Sequence, residues 1–336
     1  MKVGLLFVGQ GAQYRGMGKS LYENSEAARQ VFDDAGERVK KWCFDSSEET
    51  LRLTQVTQPS IYTTSMAAHQ AFLEEISKLE NSLKSAIEIV GVAGFSLGEY
   101  SALTAAGVIA NPKQGLDIVM KRGELMLNAG LDENGNQKGG MIVAFGNRQD
   151  ILKCVDEARQ DGILEGVNFN SKTQTVVAGD KDALERFKQI AVENKTKVVS
   201  LNVSTAFHSP MMRSATEPIR QILLTSELKV PTTKIYCNVT GDDMFDGKII
   251  SDANLTKHVA DIMARQAKSP IYWQETIENM TRDGVEILIE MGPGTVLSGL
   301  ARKISPKLTV LNIEDKESLE KTLKALVELA SIDSKV

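Results

Sequence analysis

Apolar and polar positions follow two different rhythms along this chain, and the switch between them marks its organisation. Met1-Lys2-Val3-Gly4-Leu5-Leu6-Phe7-Val8 reads as a buried strand that breaks at Gly9-Gln10-Gly11. A helical stretch follows from about Met17 to Val39. Gln58-Pro59 precedes a long amphipathic helix, about Ser60 to Leu79, with the proline near its start. The β-branched run Ile87–Val92 predicts a strand, and Leu97–Ala106 a helix packed tightly on it. Asn111-Pro112 opens a further helix. This alternation predicts a parallel α/β sheet.

Gly130 to Gly140 is rich in glycine, asparagine and charge, and reads as a linker. Beyond it the pattern is strand Met141–Phe145, helix Asp150–Arg159, strands Gly162–Phe169 and Thr173–Gly179, helix Asp182–Glu193 and strand Lys197–Val203. That order, βαββαβ, is the ferredoxin-like module. After a loop, Ser204–Pro210, the α/β rhythm resumes with helix Met211–Thr225, strand Lys234–Val239, and helices Leu255–Ala267 and Tyr272–Asp283. Strand Glu286–Met291, helix Thr295–Lys303, strand Leu308–Ile313 and helix Lys316–Ala330 complete it. The expected organisation is one large α/β core, residues 1–130 and 199–336, interrupted by a small subdomain, 131–198. A cleft between them is the natural site.

Composition narrows the class. A chain of 336 residues with 42% hydrophobic and 25% charged positions is ordinary for a soluble globular protein. A net charge of −5 argues against a general nucleic-acid binder. No stretch approaches the roughly 18 apolar residues of a membrane span, and the N-terminal apolar run is too short for a signal sequence. Cys43, Cys154 and Cys237 are scattered without a CxxC, which points to a reducing cytoplasm and to neither a disulfide framework nor a zinc site.

The candidate chemistry centres on Gly94-Phe95-Ser96-Leu97-Gly98, a GxSxG between a strand and a helix. There the glycines permit a sharp turn that presents the serine at its tip. A tight packing turn is the plainer alternative. Two phosphate-loop patterns fail, because Tyr14 and Gln13 stand where each needs glycine. A serine nucleophile needs a base. His69 and His258 lie on helix faces and suggest packing or solvent exposure, whereas His208 lies in a loop just after a strand, where catalytic groups tend to be placed. No carboxylate partner for it stands out. Arg122 lies in a mainly apolar helix. It suits a substrate carboxylate through two parallel bonds, but the helix pattern alone favours a solvated charge paired with Glu124 or Asp117.

Together these residues resemble the malonyl-CoA:acyl-carrier-protein transacylases over nearly the whole chain. Phe7-Val8-Gly9-Gln10-Gly11-Ala12-Gln13 is similar to the family's FPGQGSQ, Thr57-Gln58-Pro59-Ser60 to TQPA, and Gly94–Leu103 to GHSLGEYSAL. Arg122-Gly123, Asn168-Phe169-Asn170-Ser171 with Gln174 and Gly179, Ala206-Phe207-His208-Ser209-Pro210, and Glu290–Leu297 follow in the family's order. The resemblance implies an α/β-hydrolase-like parallel-sheet core with an inserted ferredoxin-like subdomain. It implies ping-pong malonyl transfer from malonyl-CoA to the phosphopantetheine thiol of acyl carrier protein in fatty acid biosynthesis. Ser96 would carry the acyl ester and His208 would act as base and acid.

The backbone amides of Gln10 and Leu97 would form the oxyanion hole, Arg122 would clamp the malonyl carboxylate, and Gln266 would orient His208 through its main-chain carbonyl. Phe207 would crowd a C2 substituent, and Gln58, Met126 and Asn168 would line the substrate site. Arg302-Lys303 is a candidate contact for the acidic carrier protein. A cytoplasmic monomer is expected, with no cofactor or metal of its own and neither nucleic acid nor membrane as partner. Two positions depart from the pattern: Phe95 replaces a histidine and Val8 a proline. The rivals are a serine thioesterase or hydrolase on the same core, a polyketide malonyl transferase, and a non-catalytic carrier-protein binding module.

Overall fold

The computed structural model describes residues 1–203, 205–246 and 252–333. Ser204, which heads the predicted loop, and the last three residues of the predicted core lie outside the described residues. Among the described residues there are nine strands: β1 Lys2–Phe7, β2 Glu88–Gly94, β3 Gly139–Phe145, β4 Leu164–Ser171, β5 Gln174–Asp180, β6 Lys197–Ser200, β7 Lys234–Tyr236, β8 Ile287–Met291 and β9 Thr309–Ile313. Five make a wholly parallel sheet in the order β7-β2-β1-β8-β9. β1 is central and apolar from Val3 to Phe7 apart from one glycine, as a strand covered on both faces must be. Phe7 is level with Gly94 on one side and Met291 on the other. The loops after three neighbouring strands therefore leave the same edge of the sheet, where open α/β sheets bind ligands.

The insert is a four-stranded antiparallel sheet, order β4-β5-β3-β6, which is the ferredoxin-like order. Its last strand runs to Ser200, two residues past the expected boundary. Strand alternation divides its side chains between two cores. Ile142, Ala144 and Val177 pack with Ile151, Val155 and Phe187 of the subdomain's own helices. Met141, Val143 and Val176 join the core of the large domain. A backbone seam reinforces this: Phe169 N–H donates to Ile271 O at 2.9 Å, and Ile271 N–H to Val167 O at 2.8 Å. Beside it Arg148 pairs with Glu275 and lies over the Phe169 ring, which packs against Tyr272.

Two helix expectations are corrected. The stretch 17–39 is three helices, Lys19–Asn24, Glu26–Ala35 and Glu37–Asp45. Ser25 caps the second by accepting from Ala28 N–H, and Gly36 breaks the chain with a left-handed φ of 84°. The long helix starts at Thr54, so Pro59 lies within its second turn. It is also not amphipathic, being buried without interruption from Val56 to His69. Three of its buried hydroxyls are satisfied within the helix, since Ser60, Thr63 and Thr64 each donate to the carbonyl four residues back, whereas Ser65 Oγ has no partner among the described residues.

β2 and the following helix, Gly98–Ala105, meet without side chains between them. A Cβ on Gly94 would lie 1.9 Å from the Gly98 carbonyl carbon, and one on Gly98 would lie 2.1 Å from Phe7 O. Both obstacles are backbone atoms, which cannot rotate away. Gly98→Ala is expected to destabilise the fold by about 3 kcal/mol or more, read as a lower midpoint in urea unfolding.

Candidate active site

Gly94 ends β2, and the chain then reverses through Phe95 and Ser96 into the helix. Ser96 adopts φ 53°, a left-handed conformation rare for a residue with a side chain. Two bonds hold it there. Ser96 N–H donates to Asn238 Oδ1 at 2.7 Å, and Asn238 Nδ2 donates to Gly94 O at 2.6 Å. The half-buried hydroxyl is thereby lifted to the start of the helix. The amides of Leu97 and Gln10, on the neighbouring loop, have no protein acceptor among the described residues.

His208 lies 2.7 Å from Ser96 Oγ through Nε2 and 3.0 Å from Gln266 O through Nδ1. A carbonyl only accepts, so Nδ1 carries the proton and Nε2 is left to accept from the serine. Its ring is 2% exposed. Burial, reinforced by the Arg122 charge and opposed by the Gln266 and Ser269 backbone, lowers its pKa to about 4. The imidazole is therefore neutral at neutral pH, ready to accept a proton.

Arg122 is 1% exposed, which overturns the solvated reading drawn from its helix alone. Asp117 instead pairs with Lys113, and Glu124 faces solvent. Nη1 of Arg122 donates to Gln58 Oε1 at 2.8 Å, while Nη2 reaches Gln266 Oε1 at 3.2 Å and Ser96 Oγ at 3.4 Å. Its Nε has no partner among the described residues, and the guanidinium lies over the Tyr100 ring. A buried cation thus stands beside the nucleophile with donor capacity to spare, an arrangement fitted to a carboxylate.

The cavity at Ser96 is lined by Gln10, Gln58, Leu97, Met126, Asn168 and Phe207, among others. A second cavity adjoins it, shares Gln10, Phe95 and Asn168, and is walled by Val296, Leu297 and Leu300. Phe95, standing where histidine was expected, packs edge-on against the buried Trp273. The structure does not bring Arg302 and Lys303 to either cavity. Arg302 donates to Val310 O instead. His69 is buried edge-on to Phe7, and His258 meets Met244 O.

Sequence reasoning missed Asn238 and Glu99. Glu99 is fully buried and accepts from Gln266 Nε2 and Asn238 N–H. Burial raises its pKa to about 8, against the pull of those two donors and of Arg122. Among the described residues there is no cluster of three metal-ligating side chains, and no helix long and apolar enough to cross a membrane.

Comparison with known proteins agrees with this architecture. Residues 5–319 match the acyl transferase domain family. The malonyl CoA-acyl carrier protein transacylase of Bacillus subtilis (strain 168) is 34% identical over 334 residues, 97% of this chain and 98% of that one. The crystal structure of the corresponding transacylase from Clostridium perfringens superposes with a TM-score of 0.87 at 34% identity, covering 99% of this chain and 100% of that one. A type II PKS malonyl-transacylase, solved in complex with its acyl-carrier protein, gives 0.85 at 32% identity, covering 97% and 100%. A serine on a strained turn, a neutral histidine and a buried arginine thus sit in a fold shared over almost its whole length with these enzymes, and the chain belongs to the malonyl-CoA:acyl-carrier-protein transacylase family.

Proposed function

We propose that the protein transfers a malonyl group from malonyl-CoA to the phosphopantetheine thiol of an acyl carrier protein, by way of an ester on Ser96. The observation that carries this reading is Arg122, a buried guanidinium 3.4 Å from the nucleophilic oxygen. A simple thioesterase has no use for a buried cation at that position. Ser96 Oγ attacks the thioester carbon as its proton passes to His208 Nε2. The oxyanion is held by the Gln10 and Leu97 amides. The C–S bond then breaks, and His208 returns the proton to the departing CoA sulfur. A carrier thiol attacks the ester by the same steps in reverse and leaves with the malonyl group.

The carboxylate lies on Arg122, with Gln58 and Gln266 steadying the guanidinium and Met126 and Phe207 bounding the acyl pocket. The ring of Phe207 disfavours a C2 substituent. The second cavity accommodates the pantetheine arm, and the unpartnered carbonyls of Asn168 and Asn170 suit its amide N–H groups. Lys303, exposed one turn beyond Leu300, is the proposed carrier contact of the helix that walls this cavity. On this reading the enzyme is a cytoplasmic monomer without a resident cofactor, binds neither nucleic acid nor membrane, and supplies fatty acid synthesis.

Intact-protein mass after mixing with malonyl-CoA should show a malonyl adduct that a carrier thiol removes and that is absent in Ser96→Ala. Arg122→Ala should lose malonyl loading by roughly 100-fold or more, the effect of removing one partner of a buried charge pair, while acetyl loading falls far less. Malonate release without an adduct or carrier dependence would establish the hydrolase instead. Rapid-mixing measurement of loading should show a rate nearly constant from pH 8 to about pH 5. It should decline below that as His208 is protonated near its pKa of about 4.

A further inference from the structure

Orienting His208 asks only for a main-chain carbonyl at position 266, which any amino acid supplies. The side chain there is nonetheless fully buried and bonded on every side. Gln266 Oε1 accepts from Arg122 Nη2 at 3.2 Å. Its Nε2 donates to Ser96 O at 2.7 Å and to Glu99 Oε2 at 3.0 Å. Its neighbours fix which way this amide points. The Ser96 carbonyl only accepts and the Arg122 guanidinium only donates, so the amide presents its NH2 to Ser96 O and Glu99 and its oxygen to the guanidinium. The other oxygen of Glu99 accepts from Asn238 N–H at 3.1 Å, and Asn238 Oδ1 holds the Ser96 amide. One buried acid therefore anchors two arms, one to the arginine and one to the nucleophile turn.

We infer that Glu99 is a positioning residue which, through the side chain of Gln266, aims Arg122 and so sets the preference for carboxylated over plain acyl groups. The inference rests on the reading of Arg122 as the carboxylate clamp. Of the three oxygens that hold Arg122, Ser96 Oγ belongs to the reacting group, so Gln58 and Gln266 are the hydrogen-bond acceptors that fix the fork above the Tyr100 ring. Without the Glu99 bond one buried N–H of Gln266 loses its acceptor and Ser96 O alone holds that end of the amide, so its oxygen is less firmly aimed at the guanidinium. The fork would no longer match a carboxylate, which needs two parallel bonds in one plane. An acetyl group makes no use of that plane.

The test is loading of the full-length enzyme with malonyl-CoA and with acetyl-CoA, for wild type, Arg122→Ala, Glu99→Gln, Gln266→Met and the double variant Glu99→Gln/Gln266→Met. Gln266→Met keeps the main-chain carbonyl and nearly the same volume, so it decides the matter if Glu99→Gln fails to fold. Glu99→Gln and Gln266→Met are each expected to lower malonyl kcat/KM by about tenfold, the effect of a lost hydrogen bond to a charged group, with a raised malonyl KM. Acetyl loading should fall by no more than about threefold. The double variant should be no worse than the poorer single, because both remove one connection. An unchanged malonyl-to-acetyl ratio in the folded single variants, with Arg122→Ala behaving as expected, overturns the inference alone. A retained malonyl preference in Arg122→Ala overturns the reading beneath it.

Discussion

Removing a cation from water costs several kcal/mol unless hydrogen bonds and nearby charge replace its hydration. Arg122 meets that condition with oxygens from three distant parts of the chain: Gln58 on the long buried helix, Ser96 on the nucleophile turn and Gln266 at the end of a helix near the C-terminus. Each partner must itself be held, so the demand spreads outward through Glu99 and Asn238 to the backbone of Gly94 and Ser96. The centre of this protein is consequently polar and closely specified. The large apolar core around it supplies the enclosure that makes each of those bonds count.

Strain at the nucleophile is sustained by the same arrangement. Ser96 and His208 both sit at left-handed φ, and both are cross-linked to rigid neighbours rather than left to relax. The absence of side chains between Gly94 and Gly98 brings the helix start against the sheet edge. That contact points the free amide of Leu97 at the place where negative charge develops during acyl transfer.

Much of this was legible in the sequence wherever the signal is local. The turn around Ser96 is framed by a β-branched run and two glycines, and the insert announces itself by a change of period. The ferredoxin-like order of its strands could be written from those periods alone. Arg122 was partly legible. Its helix buries Gly115, Ile118, Val119, Met126 and Ala129, and position 122 falls on that same stripe, so helical periodicity puts the arginine inside. Reading it as solvated gave charge type more weight than phase. The roles of Asn238 and Glu99 were not legible, because their partners lie well over a hundred residues away; Glu99 stands inside the matched run Gly94–Leu103, but nothing local shows what it bonds. Helix breaks at Ser25 and Gly36 were lost for another reason: apolar spacing continues across them, and only the capping bond and the left-handed glycine interrupt the backbone.

The seam between β4 and Ile271 bears on how this architecture could be rebuilt. The inserted subdomain has its own helices and its own small core, which suggests a module that could be exchanged between scaffolds. Its inner face is nevertheless part of the larger core, and its strand β4 exchanges backbone hydrogen bonds with a segment that begins only five residues after Gln266. A graft cut at the two chain crossings would sever a third, non-covalent junction next to the group that orients the base. The interchangeable unit of this fold is therefore discontinuous: the insert together with the strip from Gln266 to Glu275.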